Sequence, residues 1–129
     1  MVAVVLSGAP STLHALATGR DPLEASRAAG SLVLPRETRT QPLMLASAIT
    51  HTALSLGWAT VLSRVLPRGH ERSSGALAGL AIAAIDLGVV GRRYPRIRDL
   101  HVAPQLADHI AFGLVVGTVL ASQRARNVS

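Results

Sequence analysis

Apolar residues occur in four long runs with very little charge, and the charged residues are concentrated between these runs. A helix needs about 20 mainly apolar residues to cross a bilayer, because each residue adds about 1.5 Å along the axis. The four runs cover residues 1–18, 42–63, 73–91 and 103–122. This pattern predicts an all-α membrane protein, in which a bundle of four transmembrane helices forms one domain over residues 1–129.

The first run, residues 1–18, is the shortest and the least regular. Pro10 and His14 interrupt it, and residues 15–17, Ala-Leu-Ala, have the small-residue pattern of a signal-peptidase site. A signal peptide also needs a positively charged segment before the apolar stretch, and none precedes this one. We therefore expect a retained span rather than a cleaved signal.

The loop after the first run contains a second helix signal. Asp21 is a suitable N-cap, Pro22 fits the first helical position, and Glu24 follows in the first turn. One face of this helix is polar, with Glu24, Arg27 and Ser31. The opposite face is apolar, with Ala25, Ala29, Leu32 and Val33. We expect a short interfacial helix over residues 23–33, lying along the membrane surface. A helix in a soluble loop is the alternative.

Composition supports the membrane assignment. Only 16% of the residues are charged, which is too few to cover the surface of a soluble domain of this size. The formal net charge is +6, and all thirteen basic residues are Arg. These residues flank apolar spans, where they meet anionic lipid headgroups, so we do not expect a nucleic-acid partner. The cluster expected to bind lipid headgroups comprises Arg92, Arg93, Arg96 and Arg98. The chain has no Cys, which excludes thiolate chemistry.

Five ionisable residues fall inside the expected spans, where polar groups are costly and are functional candidates by default. They are His14, His51, Asp86, Asp108 and His109. His14 lies five residues before Gly19, Asp86 lies five before Gly91 and Asp108 lies five after Ala103, and consecutive spans alternate in direction. They should therefore share a depth of roughly 7–8 Å inside one membrane face. His51 should lie deeper, at roughly 13 Å. The pattern predicts an intramembrane polar layer.

Small residues mark the faces on which these spans should pack. Gly75 and Gly79 form one GxxxG pair, and Gly113 and Gly117 form another. Asp86 and His109 extend the two glycine stripes at helical spacing. We therefore expect Asp86 and His109 to face each other between the third and fourth spans.

The polar layer allows several interpretations. The residues can act as structural links between helices, or Asp and His can form a proton or ion path. A metal site could use His14, His51, His109 and a carboxylate, but no HxxxH or HxxE pair fixes its geometry. A haem held by His14 and His109 would have only three aromatic residues in the chain to line its pocket. A hydrolase would lack a G-x-S-x-G nucleophile elbow. We therefore predict no metal, no cofactor and no enzymatic activity.

Three stretches carry a resemblance to other sequences. Residues 7–16 read SGAPSTLHAL and residues 18–25 read TGRDPLEA, while residues 108–113 read DHIAFG. They resemble small, functionally uncharacterised multi-pass membrane proteins of actinobacteria. The resemblance implies a multi-pass protein of the bacterial inner membrane and supplies no activity or site residue.

From these features we expect an accessory or scaffold subunit of a larger membrane complex. The short loops leave no room for a soluble catalytic domain, and small-residue faces favour association with other helices. Membrane lipids and other membrane subunits are the expected partners. The alternative is a small transporter, or a homo-oligomer that conducts protons or metal ions through the Asp/His layer.

The distribution of Arg predicts the orientation. Loops one and three carry eight Arg, whereas loop two and the C-terminus carry five. The positive-inside rule places loops one and three in the cytoplasm and both termini outside. A reporter fused after Ser129 should therefore show periplasmic activity in a bacterial host. A cytoplasmic C-terminus would contradict the Arg bias.

Overall fold

The computed structural model describes residues 8–127, and this part of the chain is all-helical without strands. Its helices are α1 (Ala9–Ala17), α2 (Glu24–Gly30), α3 (Thr40–Val65), α4 (Glu71–Ile85), α5 (Pro95–Arg98) and α6 (Val102–Arg126). Between α4 and α5 the chain continues as a π-helical turn, Asp86–Val90, and a 3₁₀ turn, Gly91–Arg93.

Three helical segments are long and apolar enough to cross a membrane: Thr40–Val65, Glu71–Arg93 and Val102–Arg126. They contain the second, third and fourth expected spans, and each begins and ends outside the expected bounds. The prediction of a helical membrane protein is thus confirmed to this extent. Because these three spans separate loop one from the C-terminus, the expected orientation of the C-terminus does not depend on the first run.

The first expected span is represented only by α1, so a bundle of four transmembrane helices is not confirmed. Residues 1–7 of that run lie outside the described residues. The nine residues of α1 give a helix only about 14 Å long. It ends where Gly19 adopts a φ of 68°, which favours glycine, and the Arg20 amide closes the turn on the Ala15 carbonyl at 2.8 Å.

The antiparallel helices α4 and α6 make the closest packing in the structure. A methyl group on Gly75 would collide with the Gly113 carbonyl, and one on Gly79 would collide with the His109 carbonyl. Likewise, a methyl group on Gly117 would collide with the Glu71 carbonyl. The two backbones therefore touch along a seam that only glycine allows. We call this contact the glycine seam.

Helix α3 packs at its two ends. Near its C-terminal end, Leu62 and Leu66 join a core with Ile82, Phe112 and Val116. Near its N-terminal end, the fully buried Leu43 lies against α2, where a methyl group on Gly30 would collide with the Leu43 carbonyl. The helix is therefore anchored at both ends, on α6 and on α2.

Helix α2 is shorter than expected, and its buried face differs from the expected apolar face. Ala28 is 1% exposed and Ser31 is 3% exposed, whereas Val33 is 60% exposed. The Ser31 hydroxyl donates a 2.6 Å hydrogen bond to the Ala28 carbonyl, which allows its burial. The assignment of Ser31 to the polar face was therefore wrong, whereas the expected contact of Val33 with lipid or protein stays a prediction. Packing of α2 on α3 decides which face is covered.

Arg124 ties the other end of the bundle together. Its guanidinium donates to the carbonyls of Ser63 and Leu66, at 2.9 and 3.0 Å, and to Glu71 Oε1 at 2.9 Å. Carbonyls in the last turn of a helix lack partners within the helix, so Arg124 completes α3. The same contact neutralises Glu71, which is only 5% exposed.

A second guanidinium joins loops one and three. Arg96 donates to the Glu37 carbonyl at 2.9 Å, and its Nη1 is buried without a hydrogen-bond partner among residues 8–127. Arg39 holds the Glu37 carboxylate, which lowers the pKa of Glu37 to about 2. The structure therefore turns Arg96 partly inward, while Arg92, Arg93 and Arg98 are exposed as a headgroup contact requires.

The glycine seam predicts opposite effects for one substitution at two positions. Gly113→Ala should lower the free energy of unfolding by about 1–3 kcal/mol, because its methyl group meets backbone rather than a movable side chain. Gly57→Ala, where nothing lies within 4 Å, should raise it by about 0.5–1 kcal/mol through helix propensity. Unfolding of both variants in detergent measures the difference. Equal effects at the two positions would contradict the seam.

Candidate functional site

Asp86 and His109 form an intramembrane pair, as the glycine stripes predicted. Asp86 Oδ2 lies 3.1 Å from His109 Nε2, and the side chains are 29% and 21% exposed. Side chains on a helix lean towards its N-terminus. Because α4 and α6 are antiparallel, Asp86 and His109 lean towards each other across the seam.

The second nitrogen of the His109 ring is also held. His109 Nδ1 lies 2.7 Å from the carbonyl oxygen of Gln105, one turn earlier on α6. This contact folds the ring back along its own helix and fixes its orientation towards Asp86. Both ring nitrogens of His109 therefore have partners inside the chain, which argues against the arrangement considered for a haem ligand.

Asp108 faces a different element. Its Oδ1 accepts a 2.9 Å hydrogen bond from the backbone amide of Ser11, in the first turn of α1. Amides in the first turn lack partners within the helix, so the Asp108 carboxylate supplies an acceptor for one of them. Asp108 therefore provides one polar contact that attaches α1 to α6.

His51 and His14 complete the predicted set in different ways. His51, near the middle of α3, is exposed and makes no hydrogen bond with residues 8–127, although it lies close enough to Asp108 and His109 to interact electrostatically. The His14 ring instead lies against His101, with centroids 5.6 Å apart. The structure thus brings four of the five predicted residues into one layer and pairs His14 with His101.

The sequence did not predict three residues that hold the helices around the site in place. Neither His101 nor Ser11 was predicted as a site residue, and Arg124 was counted only among the basic residues of loop two and the C-terminus. The charge of Arg124 was visible in the sequence, but its partner was not, because the burial of Glu71 is seen only in the structure. The partners of Ser11 and His101 depend on how α1 docks.

The residues of the layer are not arranged as ligands of one metal ion. Within the described range, no three His, Cys, Asp or Glu residues are arranged to hold a metal ion. What the structure does bring close together is a carboxylate–imidazole pair, a second carboxylate and a second imidazole. These groups can exchange protons and form hydrogen bonds.

No family model, curated protein or solved structure matches this chain. Function is therefore argued from the site and the surfaces alone.

The Asp108–Ser11 contact predicts that α1 depends on one carboxylate. Asp108→Ala should make the amides of residues 11–17 exchange hydrogen roughly tenfold faster or more, because a hydrogen bond to a charged group contributes about 1.5–3 kcal/mol. Asp99→Ala removes a carboxylate that is 72% exposed and should change nothing. Hydrogen–deuterium exchange of both variants in detergent measures the difference. Unchanged exchange in Asp108→Ala would show that α1 is held by other contacts.

Proposed function

We propose that this chain is a non-enzymatic accessory subunit of a larger membrane assembly, and that a transmembrane helix of another subunit packs between α3 and α6. The observation that carries the proposal is His51. A polar side chain at this depth is costly without a partner, and His51 has no hydrogen bond to any described residue.

The shape of α3 supports a partner at this place. Its buried residues are Leu43, Ala46, Ser47 and Leu62, so residues 48–61 include none. His51, Ser55, Trp58 and Leu62 recur at helical spacing and share the side of α3 that faces the core. Leu62 is buried on that side whereas His51 is exposed, so this side of α3 is covered at Leu62 and uncovered at His51. We call this opening the α3–α6 cleft.

The chemistry of the cleft favours a polar-bearing helix as its occupant. His51 lies on one wall, and Asp108 and His109 lie on the other. Lipid chains offer no hydrogen bonds, whereas Ser, Thr, Asn or Gln side chains on a partner helix do. The glycine stripes, which suggested association from the sequence, are already occupied within the chain. The case for a partner therefore rests on α3.

A second candidate function is a homo-oligomer that moves protons or metal ions. The observation in its favour is the proximity of His51, Asp86, Asp108 and His109 to one another. In that case water, rather than a helix, would occupy the cleft.

Purification from native membranes in mild detergent tests the proposal. We expect one stoichiometric partner protein that is retained with His51→Gln and lost with His51→Phe, because glutamine keeps a hydrogen bond that phenylalanine cannot make. Gly57→Leu, on the opposite face of α3, is the control and should retain the partner.

Two outcomes would overturn the proposal. One is loss of the partner in Gly57→Leu but not in His51→Phe, which would place the interface on the outer face of α3. The other is a homo-oligomer without a second protein that moves protons or metal ions in liposomes. That result would establish the second candidate.

A further inference from the structure

The hydrogen-bond partners of His109 determine where one of its protons lies. The carbonyl oxygen of Gln105, 2.7 Å from Nδ1, can only accept a hydrogen bond. Nδ1 must therefore carry the hydrogen. A neutral imidazole has one N–H, so in that form Nε2 of His109 would present a lone pair.

That lone pair would face Asp86. An ionised carboxylate is also an acceptor only, so Asp86 Oδ2 and a bare Nε2 would be two acceptors 3.1 Å apart. Their contact is favourable only when a proton lies between them. Either His109 is an imidazolium beside a carboxylate, or Asp86 is a carboxylic acid that donates to a neutral imidazole.

We infer that the Asp86–His109 pair is an intramembrane proton-binding site that holds one proton at neutral pH. The ion pair and the neutral acid–imidazole pair contain the same number of protons and have no net charge. Each holds one proton more than an ionised Asp86 beside a neutral His109. Loss of that proton to water would leave a single negative charge in the membrane, which is costly. This inference goes beyond the accessory role proposed above and does not depend on it.

The surroundings of the pair are compatible with proton exchange. Asp108 directly precedes His109 on the same helix, and among residues 8–127 His51 on α3 is the other titratable group that interacts with His109. On α1, the Ser11 amide donates its hydrogen bond to Asp108, and the His14 ring lies against His101. His51 borders the α3–α6 cleft, so it is the described group best placed to pass a proton between the pair and whatever fills the cleft.

Solid-state NMR of the full chain in phospholipid vesicles at pH 7 tests the inference directly. The probes are the ¹⁵N signals of the His109 ring and the ¹³C signal of the Asp86 carboxyl. We expect either two protonated nitrogens with a carboxylate, or an Nδ1–H ring with a carboxylic acid. In Asp86→Asn the carboxyl signal should disappear, whereas in Asp99→Asn it should remain, which assigns it.

The opposite results are equally clear. A neutral ring with its hydrogen on Nε2, beside an ionised Asp86, would overturn the inference, because the pair would then lack the extra proton. A neutral Nδ1–H ring beside an ionised Asp86 would overturn it for the same reason. The wild-type spectrum alone separates these cases, so the test does not depend on whether Asp86→Asn folds.

Discussion

Direct contact between the backbones of α4 and α6 governs the rest of the structure. Because Gly75, Gly79 and Gly113 lack side chains, carbonyl groups of each helix lie against the other, and the two helices can adopt only one register. That register sets Asp86 opposite His109 and brings Glu71 within reach of Arg124. The intramembrane pair and the terminal ion pair are thus two products of one packing constraint.

Helix α3 is positioned by a different principle. It meets α2 through Leu43 and the core through Leu62, and Arg124 completes its last turn. Contacts at both ends hold the helix without filling its centre. The cleft beside His51 follows from this arrangement, and it lies next to the pair that holds the proton.

The long helices and the Asp86–His109 contact could be predicted from the sequence because both depend on local periodicity. Glycine spacing defines a face, and antiparallel neighbours then fix which residues meet across it. The sequence could not show that Ser31 is buried or that Asp108 accepts the Ser11 amide, because these contacts depend on how short helices dock. The length of α1 could not be predicted from the sequence either, since an apolar run does not reveal that Gly19 ends a nine-residue helix. Arg124 shows the same limit, because its charge was visible and its partners were not.

The contacts of Arg124 impose an order on biogenesis. Glu71 precedes Arg124 by 53 residues, and the carbonyls of Ser63 and Leu66 precede it by 61 and 58. As the chain leaves the ribosome, α3 and α4 enter the translocon before their shared cation exists. The end of α3 and the Glu71 carboxylate must therefore remain hydrated until α6 is inserted. Insertion of α6 then fixes the positions of the two helices that precede it.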